Sequence, residues 1–317
     1  MNPASHPAGA LNSLRARLTD EKKTPRRGRA RATLLGLLAA LTMVAAACGG
    51  GGTQANDALA AIQDRGVLRA VSDPNYAPQS FYDARLGRWR GFDIDVATEI
   101  AARLGVEVRF ETGAFEDVAA GNWQDDWDIS VGSVTVTPTR AEKLSFTPAY
   151  YYATAAVAVH KDNTSIRNPA ADLDGKRIGV CDGCTYESYL RGTLQLPGQG
   201  RIPSAIENPL VVTYGTDAEA IDELARGDGV RLDAVISALP TLEEAIDHGE
   251  PIRVVGGPLY TEELAVAILK DAPLDSTSLV QRVSQIVQEM HADGTLTSLS
   301  DKWYGTDLTV VKGPAGR

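Results

Sequence analysis

The sequence predicts an α/β protein with largely parallel sheets, arranged as two units of similar size around a cleft. Strand-like runs alternate with amphipathic helices along most of the chain. A polar, turn-rich stretch at 163–174 divides this alternation into two cycles. The 317 residues have an ordinary globular composition, 44% hydrophobic with 30 Gly and 16 Pro, which suffices to bury a core in one or two domains. Ligands of open α/β sheets bind in the crevice between such units.

The first cycle begins near Asp57. Its strand-like runs are VLRAV (67–71), VEVRF (106–110), DISVGSV (128–134) and TAAVAVHK (154–161). Between the first two runs, residues 93–104 carry apolar side chains on one helical face. Gly105 follows at the position of a helix C-cap glycine. This cycle therefore predicts one β/α unit that ends before the polar stretch.

The second cycle repeats the pattern after the polar stretch. Its strand-like runs are RIGVC (177–181), LVVTYG (210–215), LDAVIS (232–237), IRVVGG (252–257) and LAVAILK (264–270). Helices are predicted from about Thr185 and over 217–226. A last helix has an apolar stripe that includes Leu279, Val283 and Ile286.

Charge is distributed unevenly along the chain. Residues 1–47 hold 8 Lys and Arg against 2 Asp and Glu, a balance of +6. The remaining chain holds 23 basic against 39 acidic side chains, a balance of −16. A body this acidic, without a basic stripe, repels phosphate backbones. Nucleic-acid binding is therefore excluded as a function.

The basic head has the features of an export signal. Residues 15–31 are positive, and 32–47 form an uncharged stretch of 16 residues. A membrane-spanning helix needs ~20 apolar residues, so this stretch fits a secretory signal better. Three alanines lead into Cys48, and 1–47 resembles a bacterial lipoprotein signal, which implies a lipidated Cys48. An ordinary cleaved signal and a membrane anchor with unmodified Cys48 remain open alternatives.

The segment after the signal predicts a flexible tether. Residues 48–57 are rich in glycine and lack apolar periodicity. A lipid on Cys48 would anchor the protein to the outer face of the cell membrane. The expected location is therefore extracytoplasmic.

Four segments resemble the family 3 extracellular solute-binding proteins, the amino-acid receptors of ABC importers. They are GVLRAVSDPNYAP with GFDIDVATEIAARLGVEVRF, WDISVGSVTVTPTRAEKLSFTPAYY, LDGKRIGVCDGCTYESYL, and LAVAILKD with EMHADGTLTSLSDKWYG. They occur in the family's order and at its spacing. The resemblance implies a periplasmic-binding-protein type II fold, with two lobes around a central cleft and two crossing hinge strands. The predicted bounds are lobe 1 at 58–158 and 261–310, lobe 2 at 159–260, a tail at 311–317, and crossings near 157–161 and 260–264.

An arginine marks the predicted carboxylate site. Arg140 lies in a polar TPTR segment after a strand, and the guanidinium fork matches a carboxylate with two parallel hydrogen bonds. A loop arginine is more often solvated, but the resemblance places Arg140 at the family's carboxylate-binding position. It also implies that Gly132, Ser133 and Thr135 share the same carboxylate. The alternative is that these three are plain strand residues.

The resemblance assigns three further residues of lobe 1 to the ligand. Asp73 matches a position that contacts the ligand's ammonium or side chain, although an Asp before Pro74 also closes turns. Tyr76 and Phe115 match two aromatic walls around the ligand. For Phe115, simple core packing is the competing interpretation.

In lobe 2, residues 182–185 form a predicted ligand loop. Asp182, Gly183, Cys184 and Thr185 precede a helix, whose free N–H groups suit an anion. Cys181 and Cys184 form a C-x-x-C pair with four possible roles: a structural disulfide, a redox centre, half of a metal site, or two free thiols. No thioredoxin-like unit surrounds the pair, and no His lies near it in sequence. A disulfide between Cys181 and Cys184 is favoured outside the membrane, and no metal site is predicted.

The chain departs from the family at the ammonium-binding carboxylate of lobe 2. That position aligns with Ala238, preceded by Ser237, which is retained as a candidate ligand residue. A buried ammonium without an acidic partner is unfavourable by several kcal/mol. Either Asp73, Asp182 or Glu187 replaces the missing carboxylate, or the ligand lacks the ammonium. Gln79 also stands where many relatives have an aromatic side chain.

The predicted function is a non-catalytic receptor that captures a small carboxylate-bearing solute, with an amino acid favoured, and delivers it to an ABC permease. A receptor for a carboxylate without an α-ammonium is one alternative. A dehydratase-like or lytic-transglycosylase-like enzyme on the same scaffold is another, although no catalytic motif is visible. No cofactor is expected, and a monomer is expected.

Overall fold

A computed structural model describes residues 56–311. Its strands are β1 (Val67–Ser72), β2 (Asn75–Tyr76), β3 (Ser80–Asp83), β4 (Arg88–Arg90), β5 (Glu107–Thr112), β6 (Ile129–Thr135), β7 (Leu144–His160), β8 (Arg177–Cys181), β9 (Gln195–Leu196), β10 (Gly200–Arg201), β11 (Leu210–Tyr214), β12 (Ala234–Ala238) and β13 (Ile252–Leu269). Its helices are α1 (Ala58–Arg65), α2 (Phe92–Leu104), α3 (Phe115–Ala120), α4 (Pro169–Asp172), α5 (Thr185–Leu190), α6 (Asp217–Ala225), α7 (Leu239–Asp247), α8 (Thr277–Ala292) and α9 (Thr295–Tyr304). The prediction of an α/β protein is confirmed.

One eight-stranded sheet runs through the described part of the chain, in the order β11-β8-β12-β7-β13-β6-β1-β5. Strands β1, β5 and β6 are parallel and define lobe 1, and strands β8, β11 and β12 are parallel and define lobe 2. Strands β7 and β13 lie between these sets and pair antiparallel with each other and with both sets. The sheet is therefore parallel at its two ends and antiparallel in the middle, which the prediction of largely parallel sheets missed.

Strands β7 and β13 join the two lobes. They have 17 and 18 residues, so the two predicted runs at 252–257 and 264–270 are one strand. Strand β7 meets lobe-2 strand β12 from Ala155 onward, slightly before the predicted crossing at 157–161. The half of β7 that contains Pro148 pairs only with β13 among the described strands. A proline without an N–H is tolerated there because it lies at a sheet edge.

The lobe-1 core forms because its helices present apolar faces to the sheet. In α2, Val96, Ala97 and Ile100 are fully buried at helical spacing. The helix ends at Gly105, whose φ of 77° is the left-handed conformation of a C-cap glycine. This confirms the predicted C-cap. Helices α1, α8 and α9 complete the same apolar cluster.

Lobe 2 has two smaller apolar clusters, one on each face of its sheet. Helix α6 begins after Thr216, whose side chain accepts a hydrogen bond from the Glu219 N–H. Its residues Ala220, Ile221 and Leu224 are buried against the sheet. Helix α6 therefore starts at the carboxyl end of β11, at the edge that faces the cleft.

Residues 1–55 and 312–317, which include the predicted signal and Cys48, lie outside the described residues. Between 56 and 311, no helix is both long and apolar enough to cross a membrane.

Candidate functional site

A pocket lies between the two lobes, where the carboxyl ends of β1, β6, β8 and β11 meet the middle of β13. Its lining residues are Asp73, Tyr76, Phe115, Gly132, Ser133, Thr135, Arg140, Ala153, Cys181, Cys184, Thr185, Tyr186, Gly215, Thr216, Asp217, Glu262 and Leu264. Both lobes contribute charged side chains to this lining. The strand ends position them because parallel strands direct their carboxyl ends to one edge.

Arg140 is buried in this pocket, with 8% of its surface exposed. It begins a 3₁₀ turn over Arg140–Glu142, and its backbone N–H is held by the Thr137 hydroxyl at 3.2 Å. One guanidinium nitrogen donates to the Thr135 carbonyl oxygen at 2.9 Å, and the other donates to the Gly183 carbonyl oxygen of lobe 2 at 3.0 Å. Burial lowers the Arg140 pKa, whereas the negative charge of Glu262 raises it. The guanidinium remains a cation because its ordinary pKa is so high.

Glu262 is the buried acid whose charge interacts with Arg140. It lies in β13 with 2% of its surface exposed. Its Oε2 accepts hydrogen bonds from the Thr135 hydroxyl of lobe 1 and the Thr185 hydroxyl of lobe 2, both at 2.7 Å. Burial raises the Glu262 pKa, and the two hydroxyls and Arg140 oppose that shift. One carboxylate oxygen thus connects both lobes.

Asp217 is a second buried acid, at the first position of α6, with 6% of its surface exposed. Burial raises its pKa to about 7, and the charges of Asp73 and Glu262 also raise it. Ser237 is fully buried, and its side chain lowers the Asp217 pKa. Apart from each other, Asp217 Oδ1 and Ser237 Oγ have no hydrogen-bond partner among the described residues. Ser237 lies outside the pocket lining.

Ser133 lines the pocket, but its hydroxyl bonds away from it. Ser133 Oγ donates to Asp93 Oδ2 at 2.7 Å and lies 2.7 Å from the Tyr151 hydroxyl. The Tyr150 hydroxyl donates to Asp93 Oδ1 at 2.8 Å and accepts from the Ser133 N–H at 3.1 Å. Burial raises the Asp93 pKa to about 7, against the effect of these hydrogen bonds. In this arrangement Ser133 donates both its hydroxyl and its N–H to protein groups, and neither is free for the ligand carboxylate that it was predicted to share.

Thr135 and Gly132 also line the pocket. The Thr135 hydroxyl donates a hydrogen bond to Glu262, and the Thr135 carbonyl oxygen accepts one from Arg140. Thr135 thus positions both charged groups. Gly132 lies on the same strand, β6.

The two residues predicted as aromatic walls lie at the pocket. Tyr76 and Phe115 line the pocket from lobe 1. The Arg140 guanidinium carbon lies 5.3 Å from the centre of the Phe115 ring, within the range of a cation–π contact. Phe115 also packs against apolar clusters of both lobes. The core-packing and wall interpretations of Phe115 therefore both describe its surroundings.

Asp73 closes a turn and also belongs to the pocket lining. Its Oδ1 accepts a hydrogen bond from the Asn75 N–H at 2.7 Å, which closes the turn. The side chain also lines the pocket. Burial raises its pKa, the Asn75 bond lowers it, and the charge of Glu219 raises it.

The lobe-2 loop contributes unequally to the pocket. Cys184 and Thr185 line it, Gly183 supplies the carbonyl oxygen for Arg140, and Asp182 does not line it. Asp182 instead faces Glu116 of lobe 1 and raises the Glu116 pKa through a shared hydrogen bond and its negative charge. The structure pairs Cys181 with Cys184 as a disulfide, with Cα atoms 5.6 Å apart.

Gln79 forms another contact between the lobes. It is fully buried, and its Oε1 accepts a hydrogen bond from the Thr241 hydroxyl of α7 at 3.2 Å. The described residues hold no cluster of His, Cys, Asp and Glu suited to a metal ion.

Sequence reasoning missed Asp217, Glu262 and Tyr186. Asp217 follows a strand end at the start of a helix, which is a recognised ligand position, and Glu262 falls inside the predicted second crossing. These two signals were available. Tyr186 gave none, because an aromatic side chain at a helix start usually packs in a core.

Comparison with known proteins agrees with this architecture. The family model described as bacterial extracellular solute-binding proteins, family 3, matches residues 68–306. The L-cystine-binding protein TcyJ of Escherichia coli K12 is 29% identical over 249 residues, covering 78% of this chain and 86% of the relative. The L-arginine-binding protein of Pseudomonas aeruginosa is 27% identical and covers 70% and 82%. These relatives are binding proteins by name.

Solved structures give the same result. The ancestral amino-acid-binding protein AncCDT-1, a precursor of cyclohexadienyl dehydratase, has a TM-score of 0.66 and 30% identity, covering 78% of this chain and 99% of that one. An ancestral arginine-binding protein bound to arginine has a TM-score of 0.65 and 28% identity, covering 76% and 99%. The two-lobed architecture predicted from the sequence is confirmed.

Proposed function

Because the chain belongs to the bacterial extracellular solute-binding proteins of family 3, we propose that it is the receptor of an ABC importer for an amino acid. In this proposal, the solute binds between the lobes and the closed complex docks on a membrane permease. The named relatives bind cystine or arginine, which supports an amino-acid ligand.

One observation carries the proposal: Arg140 is a buried cation in a pocket formed by both lobes. Two of its guanidinium hydrogens are donated to carbonyl oxygens. Arginine has five N–H donors, so three remain for a solute. A carboxylate is the group that such a donor set and charge select.

The contacts across the cleft support a receptor that closes. Lobe 2 supplies Gly183 to Arg140 and Thr185 to Glu262. A solute shifts the balance toward closure only if it binds the closed form better than the open form. A solute on Arg140 meets this requirement because that side chain already contacts both lobes.

The enzyme alternative has less support. The relatives named above are binding proteins, and the structural match with an enzyme lineage is to its amino-acid-binding precursor. Glu262, the buried acid of β13, already accepts two hydroxyl hydrogen bonds from the protein.

We further propose that a lipid on Cys48 anchors the receptor at the outer face of the membrane, within reach of the permease. The resemblance of 1–47 to a lipoprotein signal supports this. Cys48→Ser tests it: the variant should leave the membrane fraction, whereas retention there contradicts the anchor.

The experiment that tests the receptor is isothermal titration calorimetry of the cleaved protein with L-cystine, L-arginine, L-histidine and the other standard amino acids. We expect one-to-one binding of at least one of them, with no change in the recovered solute. Product formation supports the enzyme alternative. Absence of binding to every amino acid contradicts the proposal.

A further inference from the structure

We propose that the Cys181–Cys184 disulfide is a redox-sensitive positioning element of the cleft, so that its reduction by a dithiol weakens solute capture. The disulfide acts through the loop that it closes, which carries two of the contacts of lobe 2 across the cleft. Bound solute in turn makes the disulfide harder to reduce. This assignment rests on the proposed receptor function and adds a chemical condition to it.

The disulfide lies at the solute pocket. Both cysteines belong to the pocket lining, and their other sides pack in an apolar cluster of lobe 2. Cys181 is the last residue of β8, and Cys184 directly precedes α5. The disulfide therefore ties the start of the helix to the end of the strand. Only 5% of Cys181 and 4% of Cys184 is exposed, so a small reductant reaches the sulfur atoms through the cleft.

The loop that the disulfide closes contacts the rest of the cleft directly. The Gly183 carbonyl oxygen accepts the 3.0 Å hydrogen bond from Arg140. Thr185, directly after the cysteine pair, donates to Glu262 at 2.7 Å. Gly183 has a φ of 68°, and a Cβ at this position would lie 3.0 Å from the Glu116 backbone. The loop backbone therefore lies against lobe 1, and a small displacement of the loop alters all of these contacts.

The hydrogen bonds of the loop within lobe 2 hold it incompletely. The Asp182 N–H donates to the Tyr214 carbonyl oxygen at 2.8 Å, and the Gly183 N–H donates to the Glu187 carboxylate at 3.1 Å. The first bond holds only the beginning of the loop. The second lies at the exposed side of the loop, where water competes for both partners. The covalent link through Cys184 is therefore the restraint on the Gly183 carbonyl group and on Thr185.

Stabilisation of the fold alone does not account for this disulfide. The stabilisation that a disulfide provides grows with the length of the loop it closes, and here the cysteines are three positions apart. Lobe 2 gains little from so short a closure, and its sheet already has an apolar cluster on each face. The disulfide acts mainly on its immediate surroundings, which include the residues that face lobe 1.

The chemistry is a thiol–disulfide exchange. One thiolate of the dithiol attacks a sulfur of the pair, which forms a mixed disulfide and releases the other cysteine as a thiolate. The second thiolate of the reagent then displaces the remaining cysteine. The reagent leaves as a cyclic disulfide, and its two electrons and two protons have passed to the protein cysteines. Solute binding and reduction form a closed thermodynamic cycle, so each must weaken the other by the same factor.

The test uses the Cys48→Ser protein, whose only cysteines are Cys181 and Cys184. Isothermal titration calorimetry with the standard amino acids other than cysteine compares the oxidised protein with the protein kept in dithiothreitol. L-Cystine is titrated only without reductant, because dithiothreitol reduces it. The control is the triple variant Cys48→Ser/Cys181→Ser/Cys184→Ser, which has no thiol. Thermal unfolding of each sample without solute verifies folding.

Reduction should weaken the binding of the tightest amino acid about tenfold, and reoxidation should restore it. The triple variant should bind as weakly as the reduced protein, with or without dithiothreitol, and L-cystine should show the same loss in that variant. Alkylation and mass spectrometry then give the ratio of reduced to oxidised dithiothreitol at which half of the disulfide is reduced. This ratio should rise about tenfold when the amino acid is saturating.

Equal affinity of the oxidised and reduced proteins overturns the assignment and leaves the receptor function intact. A half-reduction ratio that the amino acid does not shift also overturns it, since an equilibrium ratio is independent of how fast the reagent enters the cleft. Unfolding of the protein on reduction shows that the disulfide serves the fold, which again contradicts the assignment. If the oxidised protein binds neither L-cystine nor any other amino acid, the assignment and the receptor function are both wrong.

Discussion

The Arg140 guanidinium in lobe 1 donates a 3.0 Å hydrogen bond to the Gly183 carbonyl oxygen in lobe 2. Its other terminal nitrogen donates to Thr135 in its own lobe. The same side chain therefore has two tasks, which are to attract an anionic group and to connect the lobes. A planar cation with donors on several edges performs both, whereas an ammonium on a flexible stem does not.

We expect Arg140→Lys to lower solute affinity about a hundredfold, because lysine keeps the charge but loses the fork. Arg140→Ala should bind the solute more weakly still. The measurement is calorimetric titration with the tightest-binding standard amino acid. Arg109→Lys, at an exposed position of lobe 1, is the matched control and should bind like the parent. Parent-like binding by Arg140→Ala contradicts the proposed carboxylate site.

Glu262→Ala should lower affinity about tenfold or more, because two hydroxyl hydrogen bonds from opposite lobes are lost. Glu262→Gln retains an oxygen acceptor and should have a smaller effect. Small-angle scattering should show that Glu262→Ala contracts less on adding solute. Glu263→Ala, at the next position of the same strand, is the control. An unchanged contraction in Glu262→Ala argues against its lobe-connecting role.

Asp182→Asn should bind solute slightly more tightly than the parent at neutral pH, on the order of twofold. Asp182 and Glu116 face each other across the cleft, and their proximity raises the Glu116 pKa. Removing one charge relieves the repulsion that closure creates. The gain should shrink as pH falls and Glu116 is protonated in both proteins. Affinities measured at two pH values check this, and equal or weaker binding by the variant at neutral pH contradicts it.

The disulfide has a direct chemical test. The sequence has 3 cysteines, so Cys48→Ser leaves only Cys181 and Cys184. Alkylation of this folded protein without reductant should label neither, and labelling after reduction and unfolding should mark both. Closing so short a loop stabilises by at most a few kcal/mol, so the double variant Cys181→Ser/Cys184→Ser should fold with a lower Tm. Ready labelling of both thiols before reduction shows that no disulfide exists.

Because the Asp93 carboxyl is buried, we predict that the stability of the folded protein depends on pH. Burial raises its pKa from 3.8 to about 7 in the folded protein, so between these values the unfolded chain binds fewer protons than the folded one. The free energy of unfolding therefore falls as pH rises through this window, by at most ~1.4 kcal/mol per pH unit. Asp93→Asn lacks this loss, and its Tm relative to the parent should be higher at pH 8 than at pH 5.

The control for that prediction is Asp64→Asn, at an exposed position of α1. Its Tm difference from the parent should be nearly constant over the same range. A constant difference for Asp93→Asn as well would show that Asp93 is ionised in the folded protein at neutral pH.

The sequence pattern predicted the fold class because each strand and helix of the two cycles carries its own periodicity and caps. It did not predict that 252–269 form one strand, since Gly256, Gly257 and Pro258 interrupt the apolar run. Those residues fall where the β7–β13 register shifts between Val255 and Tyr260, and an irregularity accommodates them without ending the strand.

The candidate site was predictable where a residue type has one dominant use. Arg140 in a loop after a buried strand is such a case, and the structure places it in the pocket. Ser133 was predicted to face a ligand, yet its φ of 54° and its bond to Asp93 direct it into a buried network. A local pattern does not reveal such a partner, which lies 40 positions away. Asp217 and Glu262 had positional signals in the sequence, a helix start after a strand and the predicted second crossing, but only the tertiary fold shows that both line one pocket.

The long antiparallel pairing of β7 with β13 extends through both lobes. We expect a change of cleft width to flex this two-stranded ribbon and to leave its backbone ladder intact, at a small elastic cost. The energetic difference between an open and a closed form would then reside in the few contacts between the lobes, such as Arg140 with Gly183 and Glu262 with Thr185. A solute of modest size therefore suffices to tip the balance, and the same ribbon returns the molecule to its starting shape once the cargo has left.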